Sequence, residues 1–353
     1  MNPGSPWPID SMGIWNATVT LPEQILDSVE CARDSLLNDP ILSSRYPDYV
    51  ENVVVFGVGT SGVVGDVLAE MSSNTSKTPI FVVKSGKCPA WVGPNTVAIA
   101  ISYSGNTKET LQATTCALNA QAHLLVLSAG GELRSLAKES ALPSIDISGK
   151  IPQTRAALGV LCVAGSALLE YCGILTNGLD RIEAAARSLQ SKRDRFIEDG
   201  MKSLPAMLSK RIGRTIPLIH GSPGLVGVAA RRWKTQINEN AKSPAFFSNQ
   251  PELSYDEIAG WGQHGDVTRQ VISLVSLRYQ GEDPLITKRI DVCDELIDEV
   301  VSDVIEVWSE ETDDLSVFFE LVLLGDLVSL HLAGGDGIDP GPVPAIESIR
   351  DRL

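Results

Sequence analysis

Apolar residues along this chain of 353 residues follow two alternating spacings. Unbroken runs such as "VVVFG" at 53–57, "PIFVVKS", "VAIAISY" and "HLLVLSA" have the length and β-branched content of buried strands. Between them, "LPEQILDSVECARDSLL", a stretch at about 62–73, one opening near Thr107 and "ELRSLAKES" repeat their apolar positions at helical spacing. Strands separated by helices predict a parallel sheet with crossover helices. Residues 155–210 read as helical and include the charged amphipathic "RIEAAARSLQSKRDRFIEDGMKSLPAML". The alternation then restarts with "TIPLIHG", "LVGVAARRWKTQINENAK", "QVISLVSL" and "VVSDVIEVW". A long apolar helix across "SVFFELVLLGDLVSLHLAG" follows, and "IDPGPVPAIESIRDRL" closes as a turn and a short helix. The expectation is an α/β protein of two tandem units, 1–155 and 156–353, each opening strand, glycine turn, helix.

Composition changes this picture only by exclusion. The formal charge of −15 argues against a nucleic-acid partner, because phosphate backbones need a basic surface. No uninterrupted run of about 18 apolar residues marks a membrane span. The start "MNPGSPWPID" has neither the basic nor the apolar region of a secretory leader. Six cysteines (Cys31, Cys88, Cys116, Cys162, Cys172, Cys293) lack C-x-x-C spacing and read as buried thiols of a cytoplasmic protein. The histidines His123, His220, His264 and His331 are spaced too widely for a metal cluster.

The candidate chemistry lies at two turns. "GVGTSG" after the first strand places Gly57, Gly59 and Gly62 in the G-x-G-x-x-G pattern of dinucleotide binders. That pattern needs an acidic residue at the end of the second strand for the ribose hydroxyls, and this chain has Lys84 there. After the third strand, "SYSGNTKET" sets the hydroxyls of Ser102, Ser104 and Thr107 around Gly105, at a helix start. A helix N-terminus offers unpaired N–H groups and a partial positive charge, so the constellation suits a phosphate. The alternative for Thr107 is a simple N-cap.

"SYSGNTKET" resembles the phosphate loop of the sugar isomerase (SIS) domain, and "GVGTSG" resembles its first glycine turn. The resemblance implies two flavodoxin-like SIS domains, with Gly59, Ser61, Ser102, Ser104 and Thr107 holding a sugar phosphate. "PQTRAALG" (152–159) and "RRWKTQINENAKSPAFFSNQPELSYDEIAGW" (231–261) are similar to the bifunctional phosphoglucose/phosphomannose isomerases of archaea and bacteria. By that resemblance Glu239 moves a proton between C1 and C2, and Arg155 stabilises the intermediate. It also implies a cytoplasmic homodimer. Aldose–ketose isomerisation through a cis-enediolate needs a carboxylate shuttle and a fixed cation, and requires no cofactor.

The chain departs from the family at three places. "PELSYDEI" has Tyr255 where the family's ring-opening histidine stands, and an ordinary phenol, titrating near pH 10, donates a proton more readily than it accepts one. His264, nine residues on, is a candidate substitute. Arg350 stands near the position of a family lysine, keeping the charge without the acid–base capacity. Gly341 stands where a threonine is common. Two readings follow from these departures: an isomerase of glucose 6-phosphate or mannose 6-phosphate, or a non-catalytic regulator that binds sugar phosphate.

Overall fold

The computed structural model describes residues 6–42, 47, 49–145, 147 and 149–352. It divides into two compact units, Leu21–Arg187 (unit I) and Met1–Thr20 with Ser188–Leu353 (unit II). Helix α1 (Ile14–Val19) therefore belongs with the C-terminal half. Unit I contains α2 (Leu21–Asn38), β1 (Asn52–Phe56), α3 (Thr60–Ser73), β2 (Ile80–Val83), β3 (Thr96–Ile101), α4 (Lys108–Asn119), β4 (His123–Leu127), α5 (Gly131–Glu139) and α6 (Leu158–Tyr171). Helix α7 (Gly178–Glu198) carries the division, which falls at 187/188 rather than at the expected 155/156. The reason is packing. The apolar α6 lies against α2 and α3, so residues 156–187 complete the first core.

The four strands of unit I run parallel in the order β2-β1-β3-β4. Both β1 and β3 carry near-continuous buried apolar runs because helices cover both faces of a parallel sheet. The order reverses direction between β1 and β3, and ligands of open α/β sheets bind at the carboxyl ends of strands at such a point. The two turns singled out in the sequence, 57–59 and 102–107, leave the sheet there.

Unit II repeats the plan with α8 (Leu204–Ile212), β5 (Ile216–Gly221), α9 (Leu225–Asn240), β6 (Phe246–Asn249), α10 (Leu253–Asp256), α11 (Gly265–Val271), β7 (Ile272–Tyr279), α12 (Pro284–Asp298), β8 (Asp303–Ser309), α13 (Asp314–Gly335) and α14 (Pro344–Arg352). Its parallel order is β6-β5-β7-β8. Helix α13 is long and apolar enough to cross a membrane by length and composition, as is the stretch 154–171, yet the protein buries most of both. In α13, Gly325 admits the Trp233 indole, whose Nε1 donates to Leu321 O at 2.7 Å, and Asp326 pairs with buried Arg232 at 2.7 Å. The cysteines correct the sequence expectation. All six are free, but only Cys162 and Cys293 are fully buried, while Cys31 and Cys116 are exposed.

His331, near the end of α13, lies between the rings of Trp7 and Trp15 at 5.9 and 5.6 Å. Burial, helped by the Lys210 charge, pushes its imidazole down to about 4. The folded state thus prefers the neutral ring, while the unfolded chain takes up its proton below about pH 6.5. Between these values the unfolded state binds more protons, so this contribution to stability is complete above pH 6.5 and is lost as pH falls toward 4. Chemical unfolding across that window is expected to show His331→Phe losing less stability than the wild type. An identical pH slope in both proteins would contradict the buried neutral imidazole.

Candidate active site

Unit I brings its two turns together at the carboxyl ends of β1 and β3, where the sequence places its candidate phosphate site. Gly57 and Gly62 make the first one possible: a Cβ on Gly57 would lie 2.8 Å from the Ser61 carbonyl carbon, and one on Gly62 would lie 2.8 Å from Gly57 O. Gly59 has φ +60° and meets nothing within 4 Å, so the turn is open on that side. Thr60 and Ser61 begin α3, whose N-cap Gly59 supplies no side chain, and the first-turn N–H groups remain for a ligand.

The second turn is tightly organised. Ser102, buried at the end of β3, accepts a hydrogen bond from Gly105 N at 3.1 Å, and its hydroxyl pairs with Thr107 Oγ1 at 2.9 Å. Thr107 is the N-cap residue of α4 but makes no side-chain cap. Its hydroxyl pairs with Ser102 instead, so the simple N-cap is not made. Ser104 is exposed and accepts from Asn106 N at 3.4 Å. Gly105 has φ +74° and packs so closely on the following loop that a Cβ would lie 1.8 Å from Gly130 O.

Arg155 joins this unit through the same loop. Tyr103 donates to Ile151 O at 3.1 Å and accepts from Ile151 N at 3.2 Å, tying the loop to the segment that leads into a 3₁₀ turn, Thr154–Ala157. Arg155, 3% exposed in that turn, is buried in unit I. The structure therefore brings Gly59, Ser61, Ser102, Ser104, Thr107 and Arg155 into one unit, five of them on turns at one strand reversal.

Unit II holds the remaining candidates and separates them. Glu239 is the penultimate residue of α9, roughly 21 Å along the axis from the start of that helix. Because α9 runs antiparallel to its sheet, Glu239 lies at the amino end of the strands, near Pro340, where Lys242 Nζ donates to both Glu239 O and Pro340 O. Tyr255 follows β6 and lies at the carboxyl end, 71% exposed. Its hydroxyl accepts from Arg289 Nη2 at 3.1 Å, with the guanidinium 5.3 Å from the ring centroid. His264 is exposed at the N-cap of α11, beside Gly265, whose Cβ would lie 2.8 Å from Val300 in the segment entering β8. His264 is thus on the amino side, away from Tyr255. Arg350 is exposed on α14, and Gly341 is buried against Met12.

Sequence reasoning missed one cluster. His220, buried at the end of β5, bonds Glu257 at 2.9 Å, and Ser248 of β6 donates to the other Glu257 oxygen. Burial alone would raise the Glu257 carboxyl, but His220 and Ser248 hold it below its ordinary value. The cluster pins the Tyr255 segment to the sheet edge. Its members are too far apart in sequence for any local signal. The strand reversal of unit II also lacks a hydroxyl loop: after β7 the chain reads "QGEDP", and Glu282 pairs with buried Arg278 at 2.9 Å. At this turn unit II carries carboxylates where unit I carries hydroxyls.

Parallel-sheet units in tandem with a hydroxyl cradle at one strand reversal define a protein of the sugar isomerase class. Residues 202–353 match the family described as the bacterial phospho-glucose isomerase C-terminal SIS domain. The bifunctional phosphoglucose/phosphomannose isomerase of Caldicellulosiruptor bescii is 32% identical over 96% of this chain and 98% of its own length. The protein of the same name from Aquifex aeolicus is 31% identical over 86% and 90%. The chain belongs to the bifunctional phosphoglucose/phosphomannose isomerase family. In fold it is similar to the C-terminal domain of glucosamine-fructose-6-phosphate aminotransferase from Francisella tularensis, with a TM-score of 0.70, 14% identity and coverage of 94% and 98%.

Proposed function

We propose that the protein interconverts glucose 6-phosphate or mannose 6-phosphate with fructose 6-phosphate through a cis-enediolate. Family membership supports this reading, and the observation that carries it is the hydroxyl loop, where Thr107 faces Ser102 instead of capping its own helix. The cradle holds the phosphoryl group with Ser61, Ser102, Ser104 and Thr107 and with the N–H groups of two helix starts. Tyr255 donates a proton as the ring opens. Glu239 takes the proton from C2 of the open aldose and returns it to C1, while the O2 hydroxyl proton passes to O1 across the enediolate. Arg155, always charged, offsets the enediolate oxyanion. Arg350 contributes charge to the substrate region without moving a proton.

Glu239 and Tyr255 lie at opposite ends of the same sheet. A substrate that meets both needs two copies of unit II, which supports a homodimer. The free thiols agree with a reducing, cytoplasmic setting. The test of the cradle is the double variant Ser104→Ala, Thr107→Ala. Hydrogen bonds to a charged group contribute roughly 1.5–3 kcal/mol each, so fructose 6-phosphate affinity in calorimetry is expected to fall at least about tenfold with the fold retained. Unchanged affinity would remove the phosphate assignment.

A further inference from the structure

The cradle described above is built of hydroxyls and N–H groups, and the nearby Lys84 has no role in the proposed reaction. Strand β2 ends at Val83, which is in parallel register with Phe56, so Lys84 begins level with Gly57 of the glycine turn. Its stem crosses the first turn of α3: a Cβ on Gly62 would lie 3.1 Å from Lys84 Cε and 3.2 Å from its Cγ. Two residues on, Gly86 packs against the first turn of α4, with its Cβ position 3.5 Å from Glu109 Cα. The segment therefore runs past the first turn of each of the two helices, and Asp66, which holds the ammonium, lies one turn farther along α3 than Gly62. The Lys84 ammonium donates to both oxygens of Asp66 at 2.6 Å, and the two side chains keep 28% and 21% exposure. An ammonium has three donors, and Asp66 takes two.

We propose that Lys84 is a phosphate-binding residue of this cradle, giving its third N–H to a phosphoryl oxygen while Asp66 holds the other two. This rests on the cradle reading. A flexible stem with a compact charge suits a phosphoryl group, whose charge is spread over several oxygens. Asp66 sets where the ammonium waits. It also opposes the incoming anion, so removing its charge strengthens binding.

Calorimetry with inorganic phosphate and with fructose 6-phosphate tests this on the full chain. Lys84→Met is expected to weaken both ligands by about tenfold and to raise KM without moving kcat. Lys84→Arg keeps the charge and retains most of the affinity. Asp66→Asn is expected to tighten both ligands severalfold. If the ion pair only braces the turn, Asp66→Asn weakens binding as Lys84→Met does, and the inference is overturned. Unchanged affinity in a folded Lys84→Met protein also overturns it. If Ser104→Ala, Thr107→Ala loses affinity while Lys84→Met does not, Lys84 alone is excluded. If both proteins keep full affinity, the cradle reading fails with it.

Discussion

Glu239→Gln is expected to lower kcat by about a hundredfold or more while fructose 6-phosphate affinity changes little. Glutamine keeps the size and hydrogen-bonding reach of the side chain but cannot accept the C2 proton. The position favours a clean result. Glu239 is one residue from the end of α9, where Asn240 Nδ2 donates to Ser329 Oγ at 2.9 Å and Asn238 Nδ2 donates to Ser243 O at 2.7 Å. Losing one carboxylate charge there leaves those hydrogen bonds in place. A variant that keeps half the wild-type turnover would exclude Glu239 as the shuttle.

Gly105→Ala is expected to remove phosphate binding and to destabilise the protein by more than about 3 kcal/mol. Two costs coincide at this position. The backbone has φ +74°, which an L side chain rarely adopts, and the added Cβ would lie 1.8 Å from Gly130 O. That oxygen belongs to backbone and cannot turn aside, so the loop carrying Ser102, Ser104 and Thr107 must move. Gly59→Ala is the comparison. It has φ +60° with ψ −131° and open space around its Cβ position, so it bears the conformational cost alone, roughly 1–3 kcal/mol. Denaturant unfolding of the two variants should separate strain from collision. Equal stabilities would contradict the close packing of the loop on Gly130.

These effects follow from features of different range in the sequence. The strand "VVVF", its glycine turn and the loop "SYSGNT" are local, and each announces its role through residues within one turn of one another. Gly105 shows how much more the fold adds, because its contact with Gly130 brings together two loops 25 positions apart. The boundary was not legible for a related reason. An all-apolar helix such as α6 declares that it is buried, not which sheet buries it. Glu239 and Tyr255 lie within one contiguous stretch of family resemblance, yet α9 and β6 carry them to opposite ends of unit II. His220 reads as one more residue of a strand until the segment after β6 folds Glu257 onto it. Exposure of Cys31 and Cys116 was likewise hidden, since helical periodicity predicts a buried face but not where a flanking cysteine falls.

Proton exchange with solvent tests the proposed chemistry most directly, because a protein that only binds sugar phosphate leaves carbon-bound hydrogens untouched. Fructose 6-phosphate incubated with the protein in deuterated water, followed by NMR, reads the C1 hydrogens and the C2 hydrogen of any aldose formed. The wild type is expected to introduce deuterium at these positions while forming glucose 6-phosphate or mannose 6-phosphate, and Glu239→Gln to introduce almost none. Tight binding of fructose 6-phosphate by a wild-type protein that exchanges no carbon-bound hydrogen and forms no aldose would contradict the isomerase reading.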